Sequence, residues 1–232
     1  KVTLTNPATG APVGTAVFAS AEAARAALAG TRAWNAPVPE RAAVLERAAD
    51  LYEANAEEVF ARCTREAGKS LLDGVAELRE AVDFLRYYAA EARRLDAAGA
   101  LAPARGVFAC ISPWNFPLAI FTGQIAAALA AGNGVVAKPA EATPLTAALG
   151  VALLHEAGVP EDALRLVPGE GAEVGAALAS DPAVAGVCFT GSTATAQAIN
   201  RALAAAAPSA PLIAETGGLN AMVVDSTALP EQ

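Results

Sequence analysis

The hydrophobic pattern changes character along the chain. Residues 2 to 18 place Val2 and Leu4 before, and Val13 and Val17 after, the turn-rich run Asn6-Pro7-Ala8-Thr9-Gly10. Alternation broken by such residues predicts a short hairpin. From Ser20 the spacing becomes helical, with Ser20 as a cap, Glu22 in the first turn and Gly30 at the end. A second helix is predicted after Pro39, with Val44, Leu45, Ala48, Leu51, Tyr52, Val59 and Phe60 on one face of a single element. A third, over about 71–95, repeats Leu71, Val75, Leu78, Val82, Leu85, Ala89 and Ala92 at alternating spacings of four and three, which predicts a core seam rather than a subunit contact.

After Pro103 apolar runs alternate with alanine-rich helices, the pattern of strand-helix-strand units in a parallel sheet. Strands are predicted at 107–111, 135–138, 164–167, 184–189, 212–215 and 222–224. Helices are predicted at 118–131, after the Thr143-Pro144 cap, at 170–180, at 192–206 and beginning after Thr227. The expected fold class is therefore α/β, a Rossmann-like parallel sheet flanked by helices, with a hairpin and helices over 1–104 and the βα core over 105–232. No repeat of solenoid type is present.

Composition narrows the classes. Hydrophobic residues make up 54% and charged residues 17%, with mean hydropathy +0.38, which fits a globular core and excludes disorder. The formal net charge of −8 offers no basic footprint for nucleic acid. The apolar run at 118–131 is shorter than the roughly 20 residues of a membrane span and reads as a buried helix. Lys1-Val2-Thr3 opens no charged-then-apolar leader, so no secretory signal is expected. Cys63, Cys110 and Cys188 lie far apart without a second thiol or histidine nearby. They are expected to be inert core thiols in a reducing cytoplasm, with no metal site. His155 is expected to sit at a helix end without a role.

Ligands of open parallel sheets bind beyond the carboxyl ends of the strands, and four of those loops carry unusual residues. They are Ser112-Pro113-Trp114-Asn115-Phe116-Pro117, Lys138-Pro139-Ala140-Glu141, Phe189-Thr190-Gly191-Ser192-Thr193 and Glu215-Thr216-Gly217-Gly218. Gly191-Ser192 suits a pyrophosphate at a helix start, although Ser192 serves equally as an N-cap. Lys138 and Glu141 suit a ribose, and the carboxylate would repel a 2′-phosphate, favouring NAD over NADP; a surface ion pair is the plainer alternative. Gly169, Gly171 and Gly175 fall one residue off the dinucleotide fingerprint and suit a tight turn. Asn115, between Pro113 and Pro117, is either an oxyanion donor or an ordinary turn residue. Glu215, expected to be partly buried with a raised pKa, is a candidate general base.

In this order the loops resemble the aldehyde dehydrogenase superfamily across essentially all 232 residues. The run from Cys110 to Asn133, CISPWNFPLAIFTGQIAAALAAGN, with Lys138-Pro-Ala-Glu141 and Glu215-Thr-Gly-Gly-Leu-Asn-Ala-Met222, is most similar to the glutamate semialdehyde (pyrroline-5-carboxylate) dehydrogenase part of bacterial proline utilization A. The resemblance implies that Ile111, Ser112, Pro113 and Trp114 line an NAD cleft, and that Lys138 and Glu141 hold the adenosine ribose. It places Gly171 and Gly175 near the adenine, and Phe189, Gly191 and Ser192 at the pyrophosphate. Asn115 would be the oxyanion donor, Glu215 the base, and Thr216 and Gly217 the backbone near the nicotinamide.

That family attacks its aldehyde with a cysteine thiolate downstream of the glutamate, and no cysteine stands between Glu215 and Gln232. The segment alone is therefore expected to be inactive, or to be a non-catalytic structural or interaction module; an aldehyde dehydrogenase of different substrate is the other alternative. Ala196 and Thr216 depart from the glycine and leucine of the broad family and look like the proline-utilization branch. The implied partners are a small aldehyde, a proline dehydrogenase domain of the same polypeptide and a homo-oligomer. FAD would enter only with that domain. The stretch from Tyr88 to Val107 is short for the family's oligomerisation strands.

Overall fold

Asn6 reverses the chain as its chemistry dictates, its Oδ1 accepting the Ala8 amide at 2.8 Å, while Gly10 supplies a φ of 71°. The expected hairpin follows, β1 (Val2–Thr5) antiparallel to β2 (Pro12–Ala16). The structure, a computed structural model, describes residues 1–218 and 221–227. Helix α1 (Ala21–Gly30) is capped by Ser20, whose hydroxyl accepts the Ala23 amide, and by Glu173, whose carboxylate accepts the Ala21 amide at 3.0 Å.

The single helix expected after Pro39 is two. Helix α2 (Val38–Ala54) ends at Asn55 and α3 (Ala56–Ala67) begins directly after it. Asn55 leaves helical geometry at ψ 24°, and its side-chain amide donates to the Leu51 carbonyl at 2.8 Å, competing with the helix's own ladder. Helix α4 (Leu71–Ala97) is buried along Leu78, Val82, Leu85, Ala89 and Ala92 as the seam predicted. Leu71 and Val75, in its first turns, are exposed and lie outside that core.

The chain then builds a five-stranded sheet. The strands β3 (Val107–Ile111), β4 (Gly134–Lys138), β5 (Leu164–Leu166), β6 (Gly186–Gly191) and β7 (Leu212–Thr216) all pair in parallel, in the order β5-β4-β3-β6-β7. The intervening helices are α5 (Ala119–Ala130), α6 (Pro144–Ala157), α7 (Ala176–Ala179) and α8 (Thr193–Ala206). Alternate strand residues face opposite cores. Phe108, Cys110, Val135 and Ala137 pack with α2, α4, α5 and α6, whereas Ala109, Ile111, Val136 and Val187 pack with α1, α7 and α8. The result is three layers, and the helices of the first hundred residues share a core with α5 and α6.

Three further expectations are corrected. Thr143 occupies the cap position of α6 but its side chain caps nothing; Glu66 from α3 does so, accepting the Leu145 and Thr146 amides, each at 2.7 Å. The helix expected at 170–180 opens with a π turn over Gly171–Gly175, so these glycines sit in a wide helical turn rather than a tight one. Residues 222–224 form no strand; Met222, Val223 and Val224 stand exposed, with no pairing strand beside them among the described residues. The helix expected after Thr227 falls on residues outside those described.

Candidate functional site

Strands β3, β4 and β5 progress in one direction across the sheet, and β6 returns to the other side of β3. The loops leaving β3 and β6 therefore diverge, which opens a crevice at the carboxyl ends of the strands. A cleft of about 660 Å³ lies there. It is lined by Ile111 to Phe116 after β3, by Lys138, Ala140 and Glu141 after β4, by Phe189 to Ser192 on β6, and by Glu215 to Gly217 on β7. Gly171 contributes from the π turn. Every residue given a catalytic or cofactor role from the sequence except Gly175 stands around this one space; Gly169, singled out only for a turn, does not line it.

In the β3 loop Ser112 is 6% exposed and its Oγ has no hydrogen-bond partner among the described residues, while Trp114 (59% exposed) and Asn115 project to the surface. After β4 the Lys138 side chain is buried, with Nζ donating to the Pro139 carbonyl at 3.0 Å and to Glu141 Oε1 at 3.2 Å. Glu141 also accepts the Gly171 amide. Burial pushes the Glu141 carboxyl up, but its own backbone amide, Lys138 and the Gly171 amide together outweigh that and hold it below the ordinary carboxylate range.

On β6 a side chain at Gly191 would stand 2.6 Å from the Phe189 ring, so glycine keeps that ring seated and the backbone approachable. Ser192 caps α8, its Oγ accepting the Thr195 amide at 3.1 Å and sharing a 2.8 Å hydrogen bond with the Thr195 hydroxyl. The N-terminus of α8, through Ser192 and Thr195, lines the cleft, and the helix dipole there favours an anion. Gly217 takes a φ of 70° beyond β7.

Glu215 sits opposite Thr190 in the β6–β7 ladder and is exposed, not partly buried as expected. It lies on the edge strand β7 of the sheet. Gly175 lines a neighbouring apolar groove of about 510 Å³ between the π turn, α7 and the Ala194-Ala198-Ala202 face of α8, joined to the cleft at Ile111 and Gly171. Phe116 and Thr190, named in their loops but given no role, also line the cleft, as do Ile120 and Thr195, which were not singled out. The two threonines bracket Gly191-Ser192, which was their available signal. Cys63, Cys110 and Cys188 are buried; burial pushes the Cys63 thiol up to about 12, and Cys110, in register with Cys188 across the β3–β6 pair, is raised by that neighbour and by burial.

Residues 1–231 match the model described as the aldehyde dehydrogenase family. The chain belongs to the aldehyde dehydrogenase family. It is 58% identical over 200 residues to "Bifunctional protein PutA" of Klebsiella aerogenes, covering 84% of this chain and 15% of that protein. It is 38% identical over 250 aligned positions to the 1-pyrroline-5-carboxylate dehydrogenase of Geobacillus thermodenitrificans, covering 98% of this chain and 48% of that one. A crystal structure of bifunctional proline utilization A superposes with a TM-score of 0.85 at 54% identity, over 94% of this chain and 24% of that chain. The 1-pyrroline-5-carboxylate dehydrogenase from Thermus with bound NAD superposes with a TM-score of 0.87 at 35% identity, over 93% and 46%. The chain thus spans less than half the length of each of these relatives. The Rossmann-like parallel sheet with helices on both faces is that of these aldehyde dehydrogenase structures.

Proposed function

We propose that this segment is the cofactor-holding part of an NAD-dependent dehydrogenase that oxidises glutamate γ-semialdehyde to glutamate in proline catabolism. The observation that carries the reading is the convergence of four loops, from β3, β4, β6 and β7, on one cleft at the switch point of the sheet. The relatives named PutA and 1-pyrroline-5-carboxylate dehydrogenase support the substrate class. Three features fit NAD: the orphaned buried hydroxyl of Ser112, the side-chain-free approach at Gly191, and the Lys138–Glu141 pair at the end of β4.

Lys138 and Glu141 would bind the adenosine ribose hydroxyls, and the ionised Glu141 would reject a 2′-phosphate by charge. Gly191, Ser192 and the first amides of α8 would hold the pyrophosphate, and the small-residue groove with Gly171 and Gly175 would take the adenine. Bound NAD would supply the two-electron acceptor beside the substrate carbon. Asn115 would donate its side-chain N–H to the oxygen of the substrate as negative charge develops there. Glu215 would accept a proton from the attacking water, and its exposure leaves it accessible to that water.

The reaction also needs a thiolate, and the buried cysteines here offer none that is accessible. This stretch alone is accordingly read as binding cofactor without turning over aldehyde. On the same reading its polypeptide includes a proline dehydrogenase domain, which would bring FAD. The test is NADH formation from glutamate γ-semialdehyde by the longest natural polypeptide containing this segment, with Asn115→Ala and Glu215→Gln. Loss of turnover in both variants supports the assignment, and full activity of either removes that residue from it.

A further inference from the structure

The loop that presents Asn115 has no regular structure between Ser112 and Pro117. Its first residue is tied to the sheet, the Ser112 amide donating to the Lys138 carbonyl at 3.2 Å. Its far end enters α5 without a local cap, since Leu118 occupies the cap position and no neighbouring side chain accepts the free amides. Those amides go instead to a residue distant in sequence. Glu77 of α4, 0% exposed, uses Oε2 to accept Leu118 N–H at 3.1 Å and Ala119 N–H at 2.9 Å.

The other oxygen of Glu77 stands 2.8 Å from Lys69 Nζ in an ion pair. Lys69 lies in the turn between α3 and α4 that Gly68 makes with a φ of 69°. Its ammonium also sits 4.2 Å from the centroid of the Phe116 ring, the residue after Asn115. A second helix is capped in the same way without any such cation. Glu66 caps α6 with a buried carboxylate that pairs with no lysine or arginine within 4.0 Å among the described residues. Capping alone therefore does not demand Lys69. What Lys69 adds is contact with the Asn115 loop.

We propose that Glu77 and Lys69 are positioning residues, a buried pair that clamps Phe116, Leu118 and Ala119 and thereby sets where the Asn115 amide stands. The functional half of this rests on the oxyanion reading of Asn115 above. A charge this deeply buried is tolerated only when paired and hydrogen-bonded, so the pair is expected to act as a unit. Removing the cation should loosen the loop even though the carboxylate remains.

The test is made first on the chain itself, without substrate. In Lys69→Met, which keeps the apolar stem, exchange of the Leu118 and Ala119 amides should quicken by about tenfold or more. Acrylamide quenching of Trp114, the exposed tryptophan of the loop, should rise, while NAD affinity stays within about twofold. Glu77→Gln should act in the same direction. If either single variant fails to fold, the double variant Glu77→Gln/Lys69→Met, neutral at both positions, carries the same readouts. In the full-length enzyme Lys69→Met should lower kcat with the KM for NAD unchanged, and Lys69→Arg should restore part of it. Unchanged exchange and quenching in a folded Lys69→Met chain would overturn the clamp. Full activity of Asn115→Ala would instead overturn the oxyanion reading and leave the clamp to be decided by the loop measurements.

Discussion

Replacing Lys138 by methionine separates a cofactor-binding lysine from a structural one. Lys138 is 2% exposed, and its ammonium makes two contacts, to the Pro139 carbonyl at 3.0 Å and to the half-exposed Glu141 at 3.2 Å. Losing the first leaves a carbonyl without that donor, which costs about 1 kcal/mol. Losing the second costs about 0.5 kcal/mol, because Glu141 is partly in water and keeps the Gly171 amide. Methionine no longer requires an ammonium to be desolvated, which returns part of this, so the net loss is about 1 kcal/mol. For a chain of this size that is a fall in Tm of about 2–4 °C. A charge-assisted bond from Lys138 to the ribose is worth about 1.5–3 kcal/mol, so the Kd for NAD should rise about 10- to 100-fold. Thermal melting and calorimetric titration of the same preparation read both quantities. A folded Lys138→Met chain whose Kd for NAD changes by less than about twofold would refute the reasoning.

Four other outcomes follow from the geometry. Gly191→Ala places a carbon 2.6 Å from the Phe189 ring, which lines the cleft and must shift; NAD affinity should fall at least about tenfold with the circular dichroism spectrum unchanged. Because the folded-state pKa of Glu141 is depressed, its contribution is present above the ordinary value of 4.5 and lost as pH falls through the lower folded value. NAD affinity should therefore be level down to about pH 4.5 and drop below it, and Glu141→Gln should abolish the drop. A thiol reagent at mildly alkaline pH should find none of the cysteines in the native chain and all three in denaturing urea. Glu66→Ala removes the acceptor for two amides and the Thr146 hydroxyl, and should cost about 3 kcal/mol in urea denaturation with NAD binding retained in the folded fraction.

The central strands β3, β4 and β6 were legible because each is a short apolar run bounded by turn-forming or charged residues, and buried parallel strands tolerate little else, whereas β5 and β7 carry exposed positions. The cleft was legible for a related reason. Once the strands are placed, the residues at their carboxyl ends are forced together at the switch point, and the unusual residues were already there. Side-chain competition with the backbone was harder to read. Nothing in Glu53-Ala54-Asn55-Ala56 marks a helix break except an asparagine, whose bond to Leu51 appears only in three dimensions. Glu77 was invisible for a deeper reason. A two-letter hydrophobic pattern scores it as a solvent-facing position, yet the face of α4 that meets α5 continues past the predicted seam to Ala81 and Phe84, and Glu77 begins that row. The exposure of Glu215 depends on what lies over the edge strand β7, which its own neighbourhood in sequence does not encode.

The most direct test of the central claim is calorimetric titration of NAD into this chain, with NADP in a parallel titration. The account predicts saturable binding of NAD at a single site and markedly weaker binding of NADP, because the carboxylate of Glu141, on the proposed reading, would repel a 2′-phosphate on the adenosine ribose. A folded chain that takes up neither nucleotide, or that prefers NADP, would contradict it.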